Sequence, residues 1–104
     1  MVNVTKHVTL VTKKQFELID ITSPVSEAVK ASGMKQGLVL VYNPHTTAAI
    51  RVNHNEHLLT QDIMKTLYRL VPLDVSYSHD LFEVREQVAV NERSNGHAHV
   101  KSFL

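Results

Sequence analysis

Apolar residues at Val2, Val4, Val8 and Leu10 are separated by polar neighbours, the period of a strand with one buried face. Lys13-Lys14-Gln15 reads as a polar turn, and Phe16 to Thr22 as a second strand returning beside the first. Gly37 to Tyr42 is an unbroken apolar, β-branched run, which predicts a strand covered on both faces. Beyond Pro44 a fourth strand is expected, in which Thr47, Ala49 and Arg51 alternate with Ala48, Ile50 and Val52. Asp74 to Tyr77 reads as a short strand, and 81–94 as a loop with one short strand or turn of helix.

Three segments carry the helical period instead. Ser23-Pro24 is expected to open the first, because serine caps free amides and proline suits the first helical position. Val25, Ala28 and Val29 form its stripe, small Ser32 continues that face, and Gly33 is the natural stop. The second runs from Glu56 to Leu70 with Leu59, Ile63, Leu67 and Leu70 on one face, Asn55 as cap and Pro72 beyond its end. Glu56 in the first turn suits the helix dipole. A third is expected to begin near Gly96, with Asn95 as cap and Ala98, Lys101 and Leu104 as good helix formers. The expectation is therefore an α+β domain, 1–104, of 104 residues, with no repeat or linker.

Charge and composition narrow the function. Eleven basic against ten acidic residues leave a formal charge of +1, too small a field to hold nucleic acid or an anionic membrane. There is no cysteine, which excludes disulfides, thiolate zinc sites and cysteine nucleophiles. The longest strongly apolar run, Leu38 to Tyr42, is too short to span a bilayer. No apolar stretch of an export signal follows Met1. A soluble cytoplasmic domain is expected.

The excess in the composition is seven histidines. Imidazole is both a common metal ligand and a proton carrier near neutral pH. Three polar knots hold the ones of interest: Pro44-His45-Thr46-Thr47, Tyr77-Ser78-His79-Asp80 and Asn95-Gly96-His97-Ala98-His99-Val100-Lys101. His45 sits at a strand end, where it either reaches into a site or merely caps the sheet. His79-Asp80 is either a metal-binding pair or a loop hydrogen bond. His7 is read as solvated, and His54 and His57 as exposed in a polar junction. On a strand His97 and His99 would share a face; on a helix they diverge by about 200°. The helix reading gives His99 to the site and turns His97 elsewhere or to a partner chain. It also leaves free amides at the helix start, which favour an anion such as phosphate.

These knots, with Ala48-Ala49-Ile50, Asn53-His54-Asn55-Glu56, Asp62 and Ser102, resemble the successive blocks of the YjbQ family along the whole chain. That family is described as a secondary thiamine-phosphate synthase. The resemblance implies a β-sandwich carrying two to three helices, assembled as a homotrimer, with a histidine-rich site that holds a divalent metal near a subunit boundary. It also implies further strands beyond Lys101-Ser102, so the chain is expected to be C-terminally short relative to the family. His54 stands where relatives usually have an acidic residue.

The implied reaction joins a pyrimidine pyrophosphate ester to a thiazole phosphate and releases pyrophosphate. His45, His79 and His99 would hold the metal, zinc being the ion that imidazoles suit best. Lys101, Thr46 and Thr47 would hold phosphate, with Asn55 also at the substrate. Asp80 would orient His79 or shuttle a proton, and Glu56 completes the catalytic set. A metal-dependent hydrolase, or a trimeric metal- or small-molecule-binding module with incidental catalysis, are the alternatives; solvated loops on a structural protein are the plainest one.

Overall fold

The computed structural model describes residues 3–82, 85 and 93–104. The chain divides into two compact units, Met1–Tyr42 and Asn43–Leu104.

In the first unit, Asp20 starts the helix α1, Thr22–Ala31. Its Oδ1 accepts from the Thr22 amide at 2.9 Å and from the Thr22 hydroxyl at 2.6 Å. The helix thus begins one residue before the expected serine, and Pro24 lies in the first turn, where a missing N–H costs nothing. Ser32 closes the other end through its amide to the Ala28 carbonyl. Gly33 then turns the chain at φ 70°, a conformation that suits glycine.

In the second unit, α2 covers His57–Leu70 and α3 covers Gly96–Phe103, with a 3-10 turn at Ser78–Asp80 between them. Glu56, not Asn55, caps α2, its carboxylate accepting from the Leu59 amide at 2.5 Å. Leu59, Ile63 and Leu67 are half-buried as the stripe predicts, whereas Leu70 is exposed. Val71, just past the helix, is 4% exposed and is the buried apolar residue among those described. The packing that matters most sets α3 against the 3-10 turn.

The β-sandwich is overturned: among the described residues there is no strand or sheet. The segments predicted as strands carry no strand structure, and most of their apolar side chains are open to solvent. Val8 and Leu10 are each 49% exposed, Leu40 is 88%, and Leu38 and Val52 are fully exposed. The backbone bonds outside the helices are local turns and caps rather than ladders. The physical reason lies in what alternation encodes. It says which face of a strand is apolar, but a strand persists only through hydrogen bonds to a neighbour, and a lone one or two are marginal. The expected short element within 81–94 falls mostly outside the described residues.

A histidine and lysine cluster around helix α3

The third knot does fold as a helix, and Asp80 holds its start. Asp80 Oδ1 accepts from the Asn95 amide at 2.9 Å and the Gly96 amide at 3.0 Å. Asn95 occupies the cap position, but its side chain makes no capping bond, and its Oδ1 is buried without a hydrogen-bond partner. A carboxylate from fifteen residues upstream therefore does the work expected of the cap, and it stands where a phosphate was anticipated. The charge is well matched to the helix dipole.

This approach requires a glycine. A Cβ on Gly96 would lie 2.6 Å from the Tyr77 Cβ and 3.3 Å from Asp80 Oδ2. Tyr77 cannot swing aside easily, since its hydroxyl donates to the Pro72 carbonyl at 2.5 Å. Neither Tyr77 nor Gly96 stands out in the sequence as a site residue. The Asn-Gly pair signalled only a turn, and nothing there marked the tyrosine that packs on it.

Two imidazoles meet beside that junction. His79, in the 3-10 turn, and His99, on α3, pack edge to face with ring centroids 4.6 Å apart and planes at 70°. Thr46 Oγ1 lies 3.1 Å from His99 Nδ1, bridging 53 residues of sequence. That bond restrains the ring of His99 through Nδ1, the way a neighbouring side chain orients a functional histidine. His45 is exposed. Its amide donates to Asn43 Oδ1 at 2.8 Å, an Asx turn across Pro44, and its carbonyl accepts from the Ala48 amide at 3.3 Å. Among the described residues no three His, Asp or Glu side chains form a group arranged to hold a metal. His79 and His99 are in ring contact, and His45 is not brought with them into one three-donor set.

The other face of α3 carries His97 and Lys101. His97 is only 4% exposed, and its Nδ1 lies 3.0 Å from Lys101 Nζ, one helical turn away. Burial lowers the pKa of His97, the Lys101 charge lowers it further, and Asp80 partly opposes both. Burial also lowers the pKa of Lys101. His97 and His99 do face different ways, as a helix requires. The i, i+4 spacing of His97 and Lys101 was the visible signal of their pairing.

The remaining candidates lie apart from these contacts. Glu56 is committed at the start of α2, where its carbonyl also accepts from the Thr60 amide at 2.9 Å. Thr47 and Asn55 are exposed. Asp62 is exposed and lines, with Leu59, Ile63, Thr66 and Leu67, an open groove of about 280 Å³ along α2. His7, His54 and His57 are exposed, and His57 lies 3.2 Å from Gln61 Nε2 on its own helix.

The second unit is therefore a small helical scaffold in which α3 carries His99, paired with His79 of the 3-10 turn, and on another face His97 with Lys101. Comparison with known proteins places the chain more closely. The family described as UPF0047 protein YjbQ-like matches residues 6–104, and the chain belongs to that family. It is 41% identical over 96 residues to a UPF0047 protein of Archaeoglobus fulgidus, covering 92% of this chain and 66% of the relative. A UPF0047 protein of Methanothermobacter thermautotrophicus is 36% identical over 100 residues, 96% of this chain and 63% of that protein. The UPF0047 protein YugU of Bacillus subtilis is 34% identical over 91 residues, 88% and 61% of the two chains. The chain thus spans somewhat under two thirds of the length of these relatives. No solved structure matches it significantly. Among the described residues, no helix is long and apolar enough to cross a membrane.

Proposed function

We propose that the cluster around α3 handles phosphorylated small molecules, in a transferase reaction of the thiamine-phosphate synthase type. The observation that carries this reading is the contact chain Thr46–His99–His79, which draws one residue from each of the three knots together. Such an arrangement is costly to maintain in solvated loops and is what a site requires: side chains held by partners rather than left to rotate. Lys101 supplies a positive charge one turn from the buried end of the helix. Thr46 orients His99, and Asp80 keeps the helix start in place, so that the two histidines stay paired.

The chemical need is to stabilise charge on the departing pyrophosphate oxygens. Lys101 contributes by holding a phosphate through its ammonium, and the exposed Thr47 hydroxyl, next in sequence to Thr46, is a further neutral donor for it. A divalent cation bound by His79 and His99 would supply Lewis-acid neutralisation of that charge. The exposed apolar side chains of 38–42 and of Val52 support assembly with copies of the chain, in a homotrimer, and a cytoplasmic setting is proposed with it.

The test is a turnover assay with a pyrimidine pyrophosphate ester and a thiazole phosphate, following pyrophosphate release. Release that depends on both substrates and falls at least about tenfold in His99→Ala supports the transferase. Release without the thiazole phosphate would mean hydrolysis. Saturable binding with no release would leave only a binding module, and the proposal would be withdrawn. Light scattering that finds a stable monomer at micromolar concentration would remove the trimer.

A further inference from the structure

His97 has no role in the account so far, yet it is the most buried polar side chain among the described residues. Its Nδ1 lies 3.0 Å from Lys101 Nζ. A lysine ammonium has three hydrogens to give and no lone pair to accept with. The Nδ1 beside it must then be the bare nitrogen of the ring, and the ring hydrogen sits on Nε2. The same contact takes a long, flexible stem and fixes its charged end relative to the α3 backbone. His97 is in turn held in place because it follows directly on Gly96, which Tyr77 and Asp80 clamp.

We propose that His97 is a positioning residue for Lys101, its buried Nδ1 holding the ammonium in the orientation in which Lys101 takes a substrate phosphate. This rests on the phosphate reading above and deepens it. Helix α3 then works with two faces: His99 and Thr46 on one, the His97–Lys101 couple on the other. His97 acts through Lys101 and touches no substrate itself.

Two measurements separate this inference from the reading it rests on. The first uses no ligand: the ring nitrogen shifts of His97 in the ¹⁵N-labelled chain at neutral pH. They should show hydrogen on Nε2 and a bare Nδ1, with the Nδ1 signal moving in Lys101→Ala. Hydrogen on Nδ1, or a signal indifferent to Lys101→Ala, would overturn the couple. The second is calorimetric titration with inorganic pyrophosphate. His97→Leu should weaken binding about tenfold, the loss expected when a charge-assisted contact no longer orients the lysine. Lys101→Ala should lose at least as much, and the double variant no more than Lys101→Ala alone. His97→Asn, whose carboxamide oxygen can replace the Nδ1 lone pair, should bind within about threefold of the parent. Additive losses, or failure of His97→Asn to rescue, would overturn the positioning role. Should His97→Leu not fold, the comparison of His97→Asn with Lys101→Ala and the nitrogen shifts still decide. A parent chain that binds no pyrophosphate would overturn the phosphate reading, and with it the role of the couple there, while the shifts still judge the contact.

Discussion

Substituting Gly96 by alanine adds one methyl at the tightest contact described in the chain. The new Cβ would sit 2.6 Å from the Tyr77 Cβ, 3.1 Å from its Cγ and 3.3 Å from Asp80 Oδ2. The first of these atoms is fixed to the backbone, so no side-chain rotation relieves it. Tyr77 is tethered at its far end by the Pro72 carbonyl, so α3 must move. Restoring ordinary contact means a displacement of about 1 Å, directed away from both Tyr77 and Asp80. That movement strains the amide bonds of Asn95 and Gly96 to Asp80. Overpacking costs about 1–3 kcal/mol, and a weakened hydrogen bond to a charged group about 1.5–3 kcal/mol. Alanine returns at most about 1 kcal/mol through its helix propensity. The net expectation is a loss of about 2–4 kcal/mol.

Urea unfolding followed by far-ultraviolet circular dichroism reads this as a lower midpoint at unchanged slope. Gly33 is the control, because its need for glycine is different: φ is 70° and nothing lies within 4 Å of an added Cβ. Gly33→Asn should therefore cost little, since asparagine tolerates that conformation, whereas Gly96→Asn should cost as much as alanine. Removing the opposing Cβ with Tyr77→Gly should recover at least about 1 kcal/mol of the Gly96→Ala loss in a double-mutant cycle. A Gly96→Ala chain as stable as the parent would refute the reasoning.

Asp80→Ala should destabilise the chain by about 1.5–3 kcal/mol for each amide bond lost, and Asp80→Asn by less because an acceptor remains, both read from urea midpoints. His97 carries a folded-state pKa below its ordinary value of about 6.5. Its contribution is thus intact above that value and lost as pH falls from there through the lowered folded pKa, because the unfolded chain takes the proton more readily. Urea midpoints between pH 7.5 and 5 should decline accordingly, and His97→Leu should flatten that decline. For a divalent ion, His99→Ala should abolish zinc binding in calorimetry, while His97→Ala should change it little; equal losses would mean that both rings share the ion. Thr46→Val should leave the fold intact yet lower turnover several-fold by releasing the ring of His99.

Much of the helical content was legible in the residues alone. A helix is held by bonds between residues four apart, so the stripe Leu59, Ile63, Leu67 and the glycine after α1 carry their message locally. The start of α3 at Gly96 and the divergence of His97 from His99 follow from the same short range. Even the His97–Lys101 contact was within reach, because a spacing of four on a helix brings two side chains together.

The extended segments show where that legibility ends. The alternation Val4, Val8, Leu10 and the run 38–42 predict covered faces that the structure leaves exposed, because pairing is a property of two segments, and no residue names its partner. The site is non-local in the same sense. Nothing in Tyr77-Ser78-His79-Asp80 says that the aspartate would lie across the amides of Asn95 and Gly96, or that the tyrosine would demand a glycine opposite. Nor does Thr46 announce His99, 53 residues away. Those contacts exist because packing the 3-10 turn on α3 brings together groups whose hydrogen-bonding needs were open in the chain, and only three dimensions can say which need meets which.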